Sequence, residues 1–143
     1  MAACVDVALS LVRHNRRWLV SQRASGRVFA GLWEFPGGKM NEGETPEDDA
    51  VREAAEETGL TVSPIGTLGR IESTHADRQV ILHLIICEST GSDAKPSDPA
   101  VVEVRWVSST ELKTLAMPPA NEVIIERLVQ FELNPAIVPG RDG

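Results

Sequence analysis

Apolar and polar residues alternate along 4–13 (CVDVALSLVR) and 17–23 (RWLVSQR), which predicts two strands joined by a turn at His14-Asn15-Arg16. No period runs through 23–31 (RASGRVFAG), so a loop is expected there, followed by a short strand and turn over 32–38 (LWEFPGG). The spacing then changes from two to 3.6. Residues 45–59 (TPEDDAVREAAEETG) predict a helix with both ends marked. Thr45 suits the N-cap, Pro46 the first helical position, and Asp48 completes a capping-box pattern. Gly59 suits the left-handed position after the last turn. Residues 60–72 predict one or two strands, 78–88 a long apolar strand, 89–99 a polar, flexible loop, and 101–107 a further strand. A short helix capped by Ser108 or Ser109 and an amphipathic helix over 121–133 complete the order, with a frayed tail expected over 134–143. Such an order predicts one α/β domain spanning residues 1–133, a mixed sheet with helices packed on its faces.

Projected on a helix, Val51, Ala54, Ala55 and Thr58 fall on one side, and Glu53, Glu56 and Glu57 on the other. The first set is expected to pack on the sheet. Like charges three and four apart repel by roughly 0.2–0.5 kcal/mol per pair. A solvated acidic face is the plain reading of such a run. Two features oppose it. Arg52 precedes the cluster and can orient it, and the helix follows a Gly-Gly turn, where backbone can approach a ligand closely.

Composition narrows the classes. The 143 residues are 42% apolar and 24% charged, an ordinary globular balance. No apolar run reaches the ~18 residues of a membrane span. The N-terminal residues lack the basic start, apolar core and cleavage site of a signal peptide, and read as a first strand. Cys4 and Cys87 sit in apolar runs and are expected to be buried free thiols, as in a reducing cytosol. The net charge of −7 comes without a basic stripe, so duplex nucleic acid is not an expected partner. Divalent cations reconcile this acidity with an anionic substrate. Oxygen ligands favour hard ions, Mg²⁺ or Mn²⁺.

The pattern of Gly38, five residues, Glu44, seven residues, then Arg52-Glu53-Ala54-Ala55-Glu56-Glu57-Thr58-Gly59-Leu60 resembles the signature of the Nudix hydrolases, with Ala54 where that family favours a bulkier aliphatic. Three further segments, LWEFPGGK (32–39), ADRQVILHLIICE (76–88) and PPANEVI (118–124), resemble its MutT branch, which sanitises oxidised nucleoside triphosphates. The resemblance implies an α/β/α sandwich around a mixed sheet. It implies that Glu53, Glu56 and Glu57, with the Gly37 carbonyl, hold Mg²⁺ (or Mn²⁺), that Glu53 is also the base for the attacking water, that Glu44 supports the placement of metal or helix, and that Arg52 orients the glutamates. It places Arg23 and Lys39 at phosphate oxygens. Asn121 and Arg78 would contact the base, between apolar walls from Phe35, Val80 and Leu82.

Departures bear on substrate choice. Many relatives carry an acid in the loop before the strand containing Trp106; the aligned position here is Ala100, with Asp98 and Glu103 nearby. Val28 stands where the MutT branch can use a histidine. Asn121 also reads as a helix N-cap after Pro-Pro. Trp33 and Trp106 read as core aromatics, His14 as a turn residue, and His83 as a satisfied core or pocket-wall residue. The implied reaction converts a nucleoside triphosphate, such as 8-oxo-dGTP, to the monophosphate and pyrophosphate. A CTP or modified dCTP pyrophosphohydrolase is the alternative within that chemistry, and a non-catalytic nucleotide-sensing module the alternative outside it.

Overall fold

The computed structural model describes residues 3–27, 29–75 and 77–134, with Ala3 and His75 described by their backbone alone. Val28 and all but the first residue of the tail expected to fray lie outside the described residues. Strand β1 (Ala3–His14) reverses into β2 (Arg17–Arg23) through Asn15 and Arg16, at φ 50° and 63°. Two consecutive left-handed residues suit a tight hairpin, because that turn follows the natural twist of the strands.

The hairpin does not stay closed. β1 pairs with β2 only at Arg13↔Trp18 and His14↔Arg17. Further back, the same edge of β1 pairs with the short strand β4 (Gly37–Lys39), at Val7↔Lys39, Ala8↔Gly38 and Leu9↔Gly37. The Pro-Gly-Gly segment thus enters the fork between two diverging strands. Another short strand, β3 (Trp33–Glu34), pairs with β2. The segment expected to be one strand and a turn is therefore two strands.

On its other edge β1 runs parallel to β6 (Arg78–Ser89), which pairs antiparallel with β5 (Val62–His75). β5 is one long strand whose register shifts between Pro64 and Gly66 and again between Thr67 and Arg70. β7 (Val101–Val107) pairs with β2 and completes a mixed sheet among the described residues.

Helices cover both faces, giving the α/β/α arrangement. On one face α1 (Pro46–Thr58) lays Ala50 and Ala54, both fully buried, on Val12, Leu19 and Ile85. On the other, α2 (Ser109–Leu112) and α3 (Asn121–Leu133) bring Leu112, Ile124, Leu128 and Phe131 to a larger core around Trp18, Leu84 and Ile86. Alternation along β1 explains the division: Leu11 faces the α3 side, while Val12 faces α1.

Several local expectations need correction. At α1, Thr45 is the N-cap as expected, accepting from the Asp48 N–H at 3.1 Å, but among the described residues the reciprocal capping box forms only at α2, between Ser108 and Glu111. Ser108, not Ser109, caps that helix. Cys4 is exposed, because it lies near the open end of β1; Cys87 is buried, and burial pushes its thiol up to about 11. Trp33 is buried in the core, whereas Trp106 is only partly buried, its indole N–H donating to the Ser92 carbonyl at 3.0 Å. The 89–99 loop is strapped down: the Lys95 and Ser97 amides donate to the Thr58 and Glu57 carbonyls at 3.0 and 2.9 Å. These bonds satisfy carbonyls at the C-terminal end of α1 that the helix itself leaves unpaired.

Candidate active site

The packed face of α1 is not the one its alanines predict. Asp49, Ala50, Glu53, Ala54, Glu57 and Thr58 are buried, while Ala55 and Glu56 are exposed. The helix is rotated so that Glu53 and Glu57, one turn apart, point in towards the Gly-Gly segment. Two glycines make room. A Cβ on Gly38 would lie 2.7 Å from Glu53 Oε1, and one on Gly37 would lie 2.4 Å from the Ala8 carbonyl oxygen. Any side chain at either position would displace its neighbour.

The Glu57 carboxylate accepts from the Gly37 N–H at 3.1 Å. Burial, and then the adjoining Glu53 carboxylate, push Glu57 up to about 9. Two carboxylates in one buried place favour a shared proton unless a cation intervenes. Together with Gly37 and Asp98 they wall a cavity of about 260 Å³. Among the described residues no three His, Cys, Asp or Glu side chains form a ready-made metal cage. The paired carboxylates still fit a magnesium-type ion, which binds through one or two carboxylates and substrate phosphates.

Arg52 ties the rest of the acidic run together. Its Nε donates to Glu44 Oε2 at 3.0 Å and its Nη1 to Glu56 Oε2 at 3.0 Å. Its Nη2 lies 3.3 Å from Glu53 Oε1 and also donates to Asp49. This guanidinium, itself held more firmly protonated, keeps Glu44 below the usual carboxylate range. Asp49 is fully buried, and burial followed by its contact with Glu44 pushes it up to about 6. Its Oδ2 has no hydrogen-bond partner among the described residues. Glu56, by contrast, is half exposed and sits outside the cavity wall.

A larger cavity, about 690 Å³, opens from the fork between β1 and β2. Its size suits a small-molecule ligand. Phe35, Val80, Leu82, Arg23, Lys39 and Asn121 all line it. Asn121 is buried, but not as a cap: Ala120 holds the N-cap position of α3 with no side-chain bond. The first-turn amide of Asn121 instead directs Nδ2 to Met117 Sδ at 3.5 Å, a weak acceptor. Arg78 stands exposed at the start of β6, outside both cavity walls. His83 lies on the opposite face of the sheet from Leu82 and meets Asp6 Oδ1 at 2.9 Å, so it is no part of the pocket wall.

Sequence reading missed several lining residues. Phe29 is an exposed aromatic at φ 61°, an uncommon conformation for a bulky residue, on the rim of the larger cavity. Glu34, beside the recognised Phe35, reaches into both cavities; burial raises its pKa and Arg23 partly offsets that. Pro118 and Pro119 also line the larger cavity. Their signal was present, since both precede Asn121 directly. Of the acids near Ala100, Asp98 faces the smaller cavity, its Oδ1 accepting from the Ala100 N–H at 2.7 Å, while Glu103 is exposed beside Arg105.

The chain resembles known proteins in sequence and in fold. A family model described as NUDIX domain matches residues 4–128. The chain is 32% identical over 130 residues to an 8-oxo-dGTP diphosphatase of Escherichia coli, covering 87% of this chain and 95% of that one. It is 31% identical over 127 residues to the 8-oxo-dGTP diphosphatase of Haemophilus influenzae, covering 87% and 91%. Among solved structures, a MutT protein from Methanosarcina mazei superposes with a TM-score of 0.77 at 25% identity, covering 94% of this chain and 97% of that one.

Proposed function

The chain belongs to the Nudix hydrolase family, and from that premise we propose that it hydrolyses oxidised purine nucleoside triphosphates such as 8-oxo-dGTP to the monophosphate and pyrophosphate. One observation carries the reading: a buried amide, Asn121, and a buried carboxylate pair, Glu53 and Glu57, stand in adjoining cavities that share walls. A nucleotide can place its base at one and its phosphates at the other. The 8-oxo-dGTP activity in the names of two relatives, each about a third identical, supports the choice of substrate class.

Each residue then has a role. Glu53, Glu57, the Gly37 carbonyl and, at the exposed margin, Glu56 hold Mg²⁺, with Mn²⁺ as substitute. Such an ion neutralises phosphate charge and lowers the pKa of water it binds. Glu53 takes the proton of the attacking water, its carboxylate aimed by Arg52 and by the bare backbone of Gly38. Glu44 restrains Arg52 through paired bonds to Nε and Nη2. Asp98, two residues before the Ala100 that aligns with the loop acid, adds a further carboxylate to the same cavity. Arg23 and Lys39 meet phosphate oxygens. Asn121 offers one donor and one acceptor to a purine edge, against Phe35, Val80 and Leu82.

Among the described residues no helix is long and apolar enough to cross a membrane, and the proposed place of work is the cytoplasm, where the nucleotide pool lies. The test is a panel of 8-oxo-dGTP, dGTP, CTP and 5-methyl-dCTP compared by kcat/KM with Mg²⁺. Preference for 8-oxo-dGTP supports the proposal. Preference for the cytosine nucleotides replaces it with the pyrimidine reading, and binding without turnover replaces it with a sensor.

A further inference from the structure

Asp49 lies on the buried face of α1 with Ala50 and Ala54, yet it lines neither the carboxylate cavity nor the larger one. It is fully buried, and its Oδ2 has no hydrogen-bond partner among the described residues. A buried carboxylate with an unpaired oxygen costs stability. Ala50 and Ala54 show that the packing against Val12, Leu19 and Ile85 asks only for small apolar side chains. Packing therefore does not account for an acid at this position. Its other oxygen does: Oδ1 accepts from Arg52 Nη2, on the next turn. The same nitrogen lies 3.3 Å from Glu53 Oε1 and donates to Glu44 Oε1 at 3.2 Å. Four carboxylates thus surround one guanidinium, those of Glu44, Asp49, Glu53 and Glu56. Two of the four, Glu53 and Glu56, are assigned above to a cation, which leaves Glu44 and Asp49 to hold Arg52. Glu44 stands in the loop before α1 with part of its side chain exposed, whereas Asp49 belongs to the helix and is closed off from water.

Deepening the nucleotide reading, on which this rests, we infer that Asp49 is a positioning residue, whose Oδ1 holds Arg52 Nη2 against Glu53 and so keeps the carboxylate that takes the water's proton in aim. The acceptor acts through Arg52 and touches neither substrate nor water. Its rigidity comes from burial and from the helix backbone, which fixes the spacing of residues 49, 52 and 53. Such support matters because a proton acceptor must be held within about 0.5 Å of its working place. The unpaired oxygen is the cost of that support, a trade of stability for activity.

The test compares native protein, Asp49→Ala and Asp49→Asn, by melting in EDTA and by hydrolysis of 8-oxo-dGTP and dGTP with Mg²⁺. Asp49→Ala should melt no lower than native, because it removes the unpaired oxygen and leaves Arg52 its other partners. Its kcat should fall by about 10-fold, less than the 10²-fold of a full 1 Å misplacement. KM should stay within about 2-fold, the pattern of an interaction that matters only in the transition state. Asp49→Asn keeps an oxygen for Nη2 and should hold kcat within about 3-fold of native. The route through Arg52 is read from Arg52→Lys, which keeps the charge and loses the planar fork. In that background Asp49→Ala should cost no more than about 2-fold further, since two changes on one path do not add. A native kcat in Asp49→Ala, an equal loss in Asp49→Asn, or the full 10-fold loss persisting beside Arg52→Lys overturns the inference. An alanine variant that melts more than about 4 °C below native, or fails to fold, assigns Asp49 to the fold and also overturns it; the asparagine variant then shows whether the acceptor alone restores the fold. Native turnover with any of these outcomes removes the role of Asp49 alone. No turnover of any triphosphate by the native protein removes the nucleotidase reading and this inference with it.

Discussion

The cleft has two unlike ends. At the carboxylate end Gly37, Gly38, Glu44, Arg52, Glu53 and Glu57 come from one stretch of the chain, 37–57, folded as the short strand β4, a loop and a helix. At the base end Leu9, Phe35, Leu82 and Asn121 come from β1, the turn between β3 and β4, β6, and α3. The first end is charged and crowded, and its geometry depends on backbone without side chains. The second is mostly apolar with one buried amide. Errors at the first end should therefore stop the reaction, and errors at the second should change what is cleaved.

The largest effect is expected from Glu53→Gln, which keeps the shape and removes the base: kcat should fall by about 10²–10⁴-fold with nucleotide binding retained. A kcat within a few-fold of native would remove Glu53 from its role. Gly38→Ala comes next. Its Cβ would press on Glu53 Oε1, and a displacement on the order of 1 Å costs about 10²-fold in rate. Gly37→Ala makes a useful contrast, because its Cβ meets the Ala8 carbonyl; thermal denaturation should show about 1–3 kcal/mol of destabilisation, the scale of overpacking.

At the base end, Asn121→Ala should lower kcat/KM for 8-oxo-dGTP relative to CTP by about 10- to 100-fold, the scale of a buried polar group left unpaired. An unchanged ratio would show that the amide does not read the purine edge.

Stability against pH separates the two ends without substrate. Glu57 is raised from 4.5 to about 9 when folded, so between those values the folded state binds the extra proton. The contribution is full below the unfolded value and is lost as pH rises through the folded one. Melting in EDTA should therefore show a protein that weakens from about pH 5 to about pH 9, a trend that Glu57→Gln flattens. Mg²⁺ should restore stability most at the alkaline end, since it binds the folded, ionised pair. The smallest effect is expected from Arg78→Ala. Outside both cavity walls, it should change KM by no more than about 2-fold, as surface substitutions do.

The carboxylate end was legible because helix geometry relates Glu53, Glu56 and Glu57 by residue spacing alone, and Thr45 and Gly59 mark where the helix stops. The rotation of that helix was not legible. Ala55 matches Ala54 in size and polarity, yet one is exposed and the other buried. The choice was made by the sheet beneath, where Ala50 and Ala54 cluster with Val12, Leu19 and Ile85, and by Gly38, which admits a carboxylate where a side chain would stand. Asp98 shows the same limit from the other side. Its loop is polar and reads as flexible, but hydrogen bonds donated by the Lys95 and Ser97 amides to carbonyls at the end of α1 hold it beside the cavity that Asp98 lines.

By itself the sequence determined the helices and the longer strands, the punctuation of α1 and the supply of acids near a Gly-Gly pair, because those follow from period, capping and residue type over a few neighbours. Tertiary structure decided which acids lose water, where β1 and β2 part to open the cleft, and that Glu34 and Arg23 stand where its two halves meet. Desolvation and contact at long range depend on elements distant in the chain, and no local pattern specifies what will be packed opposite.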